Sequence, residues 1–190
     1  MLEALQKLIN ADLYRYGGIT KEAELSFMGR KELYGYQYTK VLRKCRFYKD
    51  HNAKLRFYYY RLWLAKLSLK YGFQISYATD IGPGLYLGHS GSIVVNSLAK
   101  IGKNVNLAQG VTIGLANGGQ HPGVPVIGDN VWIGANATVV GGISIGNDVM
   151  IAPNTFVNFD VPDHSIVVAQ RAEIIHRNPA TEKYVENLAE

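Results

Sequence analysis

Apolar residues recur along this chain every six positions. Between Ile127 and Val157 the repeat reads Ile127-Gly128, Ile133-Gly134, Val139, Ile145-Gly146, Ile151 and Val157, and four positions after successive anchors stand Val131, Ala137, Ile143, Val149 and Thr155. An α-helix needs apolar residues three and four apart, and a half-buried strand alternates every second residue, so neither template fits. β-branched anchors favour extended backbone on a buried surface, and the Gly that usually follows suits a corner where a Cβ would crowd. Each hexad is therefore one short strand plus a corner. It buries its anchor only when stacked on other hexads at roughly 4.8 Å, as in a parallel β-solenoid. With three hexads to a triangular turn, Ile127 and Ile145 stack in register.

The same phase runs upstream through Ile75, Ile81-Gly82, Leu87-Gly88 and Ile93. After a two-residue excess it resumes at Ile101-Gly102, Leu107 and Ile113-Gly114. From Ile113 to Ile127 the gap is one hexad plus eight residues, which predicts a loop over 114–126 thrown out of the coil, rich in Gly, Asn and Pro. After Val157 the text Asp160-Val-Pro-Asp-His-Ser165 predicts a turn, followed by a return over Ile166–Ala169.

Residues 1–72 do not carry this pattern. Helices are expected through Ile9, after a Thr20 cap with Glu22 and Glu24 in the first turn, over Lys31–Asp50, and from Asn52 to Tyr71. The charge changes at the same boundary. Residues 1–72 hold 15 Lys and Arg against 6 Asp and Glu, and residues 73–190 hold 5 against 9, so +9 and −4 make up the net +5. Ten of the 13 tyrosines also precede residue 73. The last helix is apolar on nearly all sides, with Lys54, Arg56, Arg61, Lys66 and Lys70 interleaved. Burial against the coil, other helices and a partner subunit explains this pattern, and peripheral contact with an anionic membrane surface is the alternative. No RNA- or DNA-binding motif is present, so nucleic acid is not expected as a partner.

Cys45 is the single cysteine, which excludes an intrachain disulfide and points to a reducing compartment. It falls in the helical part and reads as a small buried residue. The opening Met-Leu-Glu-Ala-Leu-Gln-Lys carries an acid early and lacks the apolar run of a secretory leader. A cytoplasmic location is expected, at the inner face of the membrane if the last helix meets lipid.

Four stretches carry a family resemblance: Gly88-His89-Ser-Gly-Ser-Ile-Val-Val95, Gln-Gly-Val-Thr-Ile-Gly114, the looped His121-Pro122, and Val126-Ile-Gly-Asp-Asn-Val-Trp-Ile-Gly-Ala135. Together they resemble the hexapeptide-repeat acyltransferases, and within them the serine O-acetyltransferases and the O-acetyltransferases of exopolysaccharide and capsule synthesis. Asp12-Leu-Tyr-Arg-Tyr-Gly-Gly18 also resembles the opening of the polysaccharide-associated members. The resemblance implies a left-handed parallel β-helix over 73–176, preceded by an α-helical domain over 1–72 and followed by a polar tail over 177–190. It also implies a homotrimer with sites between subunits, with larger assembly possible through the N-terminal helices.

On the same resemblance His89 matches the catalytic histidine and His121 the second active-site histidine. Acetyl transfer to a hydroxyl needs a base for the hydroxyl proton and an acid for the leaving sulfur, and one histidine near neutral pH serves as both. His51, His164 and His176 have no such context and read as surface residues. Acetyl-CoA is the implied co-substrate. Gly114, Ala135 and Pro153 match positions lining its pantetheine groove, and Arg171 and Arg177 are placed to meet its phosphates. No metal set is expected, because the histidines and carboxylates lack ligand spacing.

The serine enzymes have an aspartate where Gln74 appears, an acid where Gly88 stands, and an arginine where Gln120 precedes the loop histidine. Serine brings an ammonium and a carboxylate that call for charged partners, so these three positions favour a glycan or other neutral hydroxylated acceptor. The alternatives are serine O-acetyltransfer and a non-catalytic solenoid scaffold. Gln74, a backbone carbonyl or Asp80 is expected to orient His89.

Overall fold

A computed structural model of the chain describes residues 2–26, 33–169 and 176. Three α-helices come first: α1 (Leu2–Tyr14), α2 (Tyr34–Asp50) and α3 (Lys54–Tyr71). The first extends beyond Ile9, because Asp12 is not a polar stop but a buried anchor. The second expected helix is a short 3-10 helix, Glu22–Ser26, and the start of the third expected helix at Lys31 lies outside the described residues. Asn52, at φ 54°, makes the left-handed turn between α2 and α3.

The rest is a parallel solenoid of about five turns. The first turn holds β1 (Phe73–Ile75), β2 (Asp80–Ile81) and β3 (Tyr86–Leu87). The second holds β4 (Ile93–Val95), β5 (Lys100–Ile101) and β6 (Asn106–Leu107), and the third β7 (Thr112–Gly114), β8 (Val126–Ile127) and β9 (Trp132–Ile133). The fourth holds β10 (Thr138–Val140), β11 (Ser144–Ile145) and β12 (Met150–Ile151), and β13 (Phe156–Val157) and β14 (Ile166–Val167) close the stack. Three flat faces result, in the orders β1-β4-β7-β10-β13, β2-β5-β8-β11 and β3-β6-β9-β12-β14, every pair parallel.

Register gives the reason for the six-residue pattern. Ile127 stacks on Ile145, Ile133 on Ile151 and Val139 on Val157, all eighteen apart. The intervening Val131, Ala137, Ile143, Val149 and Thr155 also point inward and are buried, so each hexad gives the interior two side chains. One phase differs from the sequence reading. On the first face Ile75 stacks on Val95 and Val95 on Ile113, so the two extra residues lie before Val95, in the corner holding His89. Ile93 and Val95 are both buried on the same face of β4, which made either a candidate anchor.

The glycines that follow the anchors stand at corners where a Cβ would crowd the next coil, as expected. The glycines after the anchors are not the left-handed residues. A Cβ on Gly102 would lie 2.5 Å from the Gly128 carbonyl oxygen, so glycine here permits close stacking. The left-handed residue comes two positions later, as Asn104, Asn130, Asn136, Asp148, Asn154 and His164. Asn and Asp tolerate this conformation better than other side chains. The residues just before four of them are linked from coil to coil: the amide of Lys103 donates to Asp129 at 2.7 Å, that of Asp129 to Asn147 at 2.8 Å, and that of Asn147 to Asp163 at 2.6 Å.

The helices dock on the first two turns through one buried ion pair. Asp12, fully buried, accepts from Arg43 Nε at 2.9 Å and Nη2 at 3.0 Å, and from the amides of Gly84 and Leu85 at 2.9 and 3.0 Å. Arg43 in turn donates to the carbonyls of Ile81 and Gly82, both at 2.6 Å. Tyr38 donates to the Ile75 carbonyl at 2.8 Å from inside the α2–α3 packing. α3 buries Phe57, Leu64, Leu67 and Tyr71, while Leu55, Tyr58, Tyr59, Leu62, Trp63 and Leu69 are exposed in the single chain. Among the described residues no helix is long and apolar enough to cross a membrane.

Removing Asp12 leaves the Arg43 charge buried without its counter-ion and two coil amides unpaired. Asp12→Ala is expected to cost about 3–5 kcal/mol, read as a lower urea midpoint at constant m value.

Candidate active site

His89 stands at the corner between the third face and the first, just after β3. This is the widened corner, and helix α3 supports it from below. Gly72 ends α3 in the left-handed conformation at φ 75°, its amide donating to Ser68 at 2.9 Å. The Gly91 amide then donates to the Tyr71 carbonyl at 2.9 Å, and that of Ile93 to the Gly72 carbonyl at 3.1 Å. Gly91 itself has φ 135°, which a side chain would strain. The corner's backbone is thus fixed while the His89 side chain is exposed. Among the described residues neither ring nitrogen has a hydrogen-bond partner, so both are open to a substrate.

His89 borders a cleft of about 240 Å³ that runs up this corner across several turns. Gly88, Ala135 and Pro153 line it too, so one catalytic, one substrate and two cofactor expectations meet in one place. The remaining wall is Tyr86, Asn106, Leu107, Ala108, Gln109 and Trp132. Tyr86, Asn106 and Trp132 form one register column, each just before an anchor on the third face. Sequence reading passed over them, yet the column follows once the anchors are stacked at their true offsets.

The other expected site residues lie elsewhere. Gln74 points outward from β1, and Asp80 borders a separate cleft with Arg46, Asp50 and His51, so neither reaches the His89 cleft. Gly114 ends β7, where a Cβ would come within 3.1 Å of Val140 Cγ1. Gln120 is exposed in the loop. Arg171 and Arg177 lie outside the described residues, as does the tail expected over 177–190.

The loop folds back as a narrow hairpin. Ala116 and Gly123 exchange backbone hydrogen bonds of 3.0 and 2.9 Å, and the His121 carbonyl accepts from the Gly142 amide at 2.9 Å. His121 is half-buried there, at the corner after β10 between the first face and the second. The two histidines therefore occupy different corners of one prism, and His121 does not line the His89 cleft.

The other histidines and Cys45 do not line this cleft. His51 stacks on Phe47 with ring centroids 4.1 Å apart. His164 pairs with Asp148 at 2.8 Å, and that hydrogen bond and charge raise its pKa. Both side chains are exposed, and so is His176. Burial pushes the Cys45 thiol up to about 11, which leaves almost no thiolate at neutral pH.

With this geometry in place the chain can be compared with known proteins. Residues 125–158 match the family "Bacterial transferase hexapeptide (six repeats)". A serine acetyltransferase of Helicobacter pylori is 33% identical over 126 residues, covering 66% of this chain and 74% of the relative. Serine acetyltransferase 2 of Arabidopsis thaliana is 37% identical over 114 residues, 58% of this chain and 34% of the relative. The chain thus spans about a third of the plant protein. Among solved structures, the Neisseria gonorrhoeae serine acetyltransferase in complex with serine superposes with TM-score 0.68 at 31% identity, covering 90% of this chain and 69% of that one. The soybean serine acetyltransferase apoenzyme gives TM-score 0.71 at 26% identity, over 91% and 69% of the two chains.

This chain belongs to the hexapeptide-repeat acyltransferase family, within which its relatives are serine acetyltransferases. With membership goes the left-handed winding of the β-helix. The expectation of a glycan acceptor is corrected by the same relatives, at 33–37% identity, and by the structural neighbours. That expectation counted charges only at Gln74, Gly88 and Gln120, whereas a folded site also draws on residues distant in sequence.

At mildly alkaline pH, iodoacetamide is expected to alkylate native Cys45 at least about a hundredfold more slowly than the urea-unfolded chain, from the thiolate fraction alone. Mass spectrometry of quenched samples gives the two rates.

Proposed function

We propose that this protein transfers the acetyl group of acetyl-CoA to the hydroxyl of L-serine and works as a homotrimer. The observation that carries the reading is the position of His89, exposed and without a protein partner, at the rim of a cleft walled by Ala135, Pro153 and Trp132. This wall is largely apolar and its residues at positions 108 and 135 are alanines, which suits a thin pantetheine arm lying against the coil.

His89 then acts twice. Its neutral imidazole takes the proton from the serine hydroxyl as that oxygen attacks the thioester carbonyl carbon. As the C–S bond breaks, the imidazolium returns the proton to the departing thiolate, leaving O-acetylserine and CoA. No acyl-enzyme is required, in keeping with the buried Cys45.

The separation of the two histidines supports the trimer. A left-handed prism with His89 at one corner and His121 at another brings the two together when corners of neighbouring subunits meet. His121 of the adjacent subunit would then border the acceptor at the His89 cleft.

Release of CoA thiol that depends on L-serine tests the activity, and its absence would remove this reading. His89→Ala should lower kcat by about 10²–10⁴ while acetyl-CoA binding holds; unchanged turnover would favour a scaffold. Randomly mixed His89→Ala and His121→Ala trimers should regain about a quarter of wild-type activity, because each site draws one histidine from each subunit. No regain would place both groups in one chain.

A further inference from the structure

We propose that Arg15 is the residue that selects an acceptor carrying a carboxylate, an inference that rests on serine as the acceptor. L-Serine brings a carboxylate into a partly desolvated cleft, where it needs a charged donor. The cleft wall, His89 aside, has no ionisable side chain except the Tyr86 phenol, and the loop position 120 is a glutamine. Arg15 supplies what the wall lacks. Its Nη2 donates to Oδ1 of Asn106, which lies on the wall.

The other anchored arginines of the helical part are matched with carboxylates: Arg43 with Asp12 at 2.9 Å and Arg46 with Asp50 at 2.8 Å. Among the described residues no carboxylate pairs with Arg15. A neutral amide orients its guanidinium without cancelling the charge, and a guanidinium has five N–H donors, two of which suit a carboxylate in a fork.

The backbone around Arg15 is held on both sides. Three residues before it, Asp12 is locked into the buried ion pair. One residue after it, the Tyr16 hydroxyl accepts from the Leu87 amide at 3.2 Å and donates to the Leu87 carbonyl at 3.3 Å, two residues from His89. The Tyr16 ring lies 4.6 Å from that of Tyr86, itself on the cleft wall. Gly17 and Gly18, at φ 79° and 75°, then turn the chain away. The stretch from Asp12 to Gly18 thus holds one preorganised cation against Asn106, a residue of the cleft wall. A positive charge needed only for docking the helix would not have to meet a residue of the cleft wall, since Asp12 and Tyr16 already dock it.

The test compares L-serine with L-serinamide, which lacks the carboxylate, in the wild type, Arg15→Gln and Asn106→Asp. Arg15→Gln should raise the KM for L-serine about 10- to 100-fold, with a much smaller effect on kcat and on the KM for acetyl-CoA, and should abolish the preference for L-serine over L-serinamide. Asn106→Asp should act in the same direction, because the new carboxylate occupies Arg15. An equal loss for both acceptors, or a loss confined to acetyl-CoA, overturns the assignment. Calorimetric titration of both acceptors separates this inference from the function it rests on. A wild type with no serine-dependent turnover defeats the function; no preferential binding of L-serine by the wild type, or a preference kept by Arg15→Gln, defeats the role of Arg15.

Discussion

A six-residue strand and corner cannot cover its own apolar side chain, and the rest of this molecule follows from that constraint. Ile127, Ile145 and their counterparts are buried only because another coil lies above or below them. Stacking at strand distance requires glycine where backbones meet, as at Gly102, and Asn or Asp where the chain turns left-handed, as at Asn130 and Asp148. A rigid prism results, and its corners become the places where the chain can gain residues without disturbing the interior register.

The candidate site residues are placed at those corners by small departures from the repeat. Two extra residues before Val95 widen one corner and present His89. Eight extra residues after Ile113 make the hairpin that carries His121 and is held by the Gly142 amide. In both cases the interior register is undisturbed: Leu87 still stacks on Leu107, and Ile113 on Val139. The two histidines are therefore held on fixed backbone without being asked to pack, as the proposed proton transfer requires.

The helices serve the same corner from the other side. The open lower end of the stack is closed by α2 and α3, with Tyr38 bonded to Ile75 and Gly91 bonded to the last turn of α3. The Asp12–Arg43 pair is expensive to bury, and it is stabilised by four further bonds to coil backbone, which give it a single geometry. By fixing the end of α1 it sets Arg15 and Tyr16 against β6 and β3.

Spacing alone determined the solenoid, because burial at a period of six has one economical solution, and the text around His89, Ala135 and Pro153 was local enough to read. Tertiary structure decided three other matters. It put the extra residues before Val95, since Ile93 and Val95 fill the interior equally well and only pairing distinguishes them. It parted His89 from His121, because corner identity depends on counting turns through an inserted loop. It also brought Arg15 to Asn106 across 91 residues. No periodic signal links those two positions: the contact arises from a buried ion pair whose partners, Asp12 and Arg43, look in sequence like ordinary solvated charges.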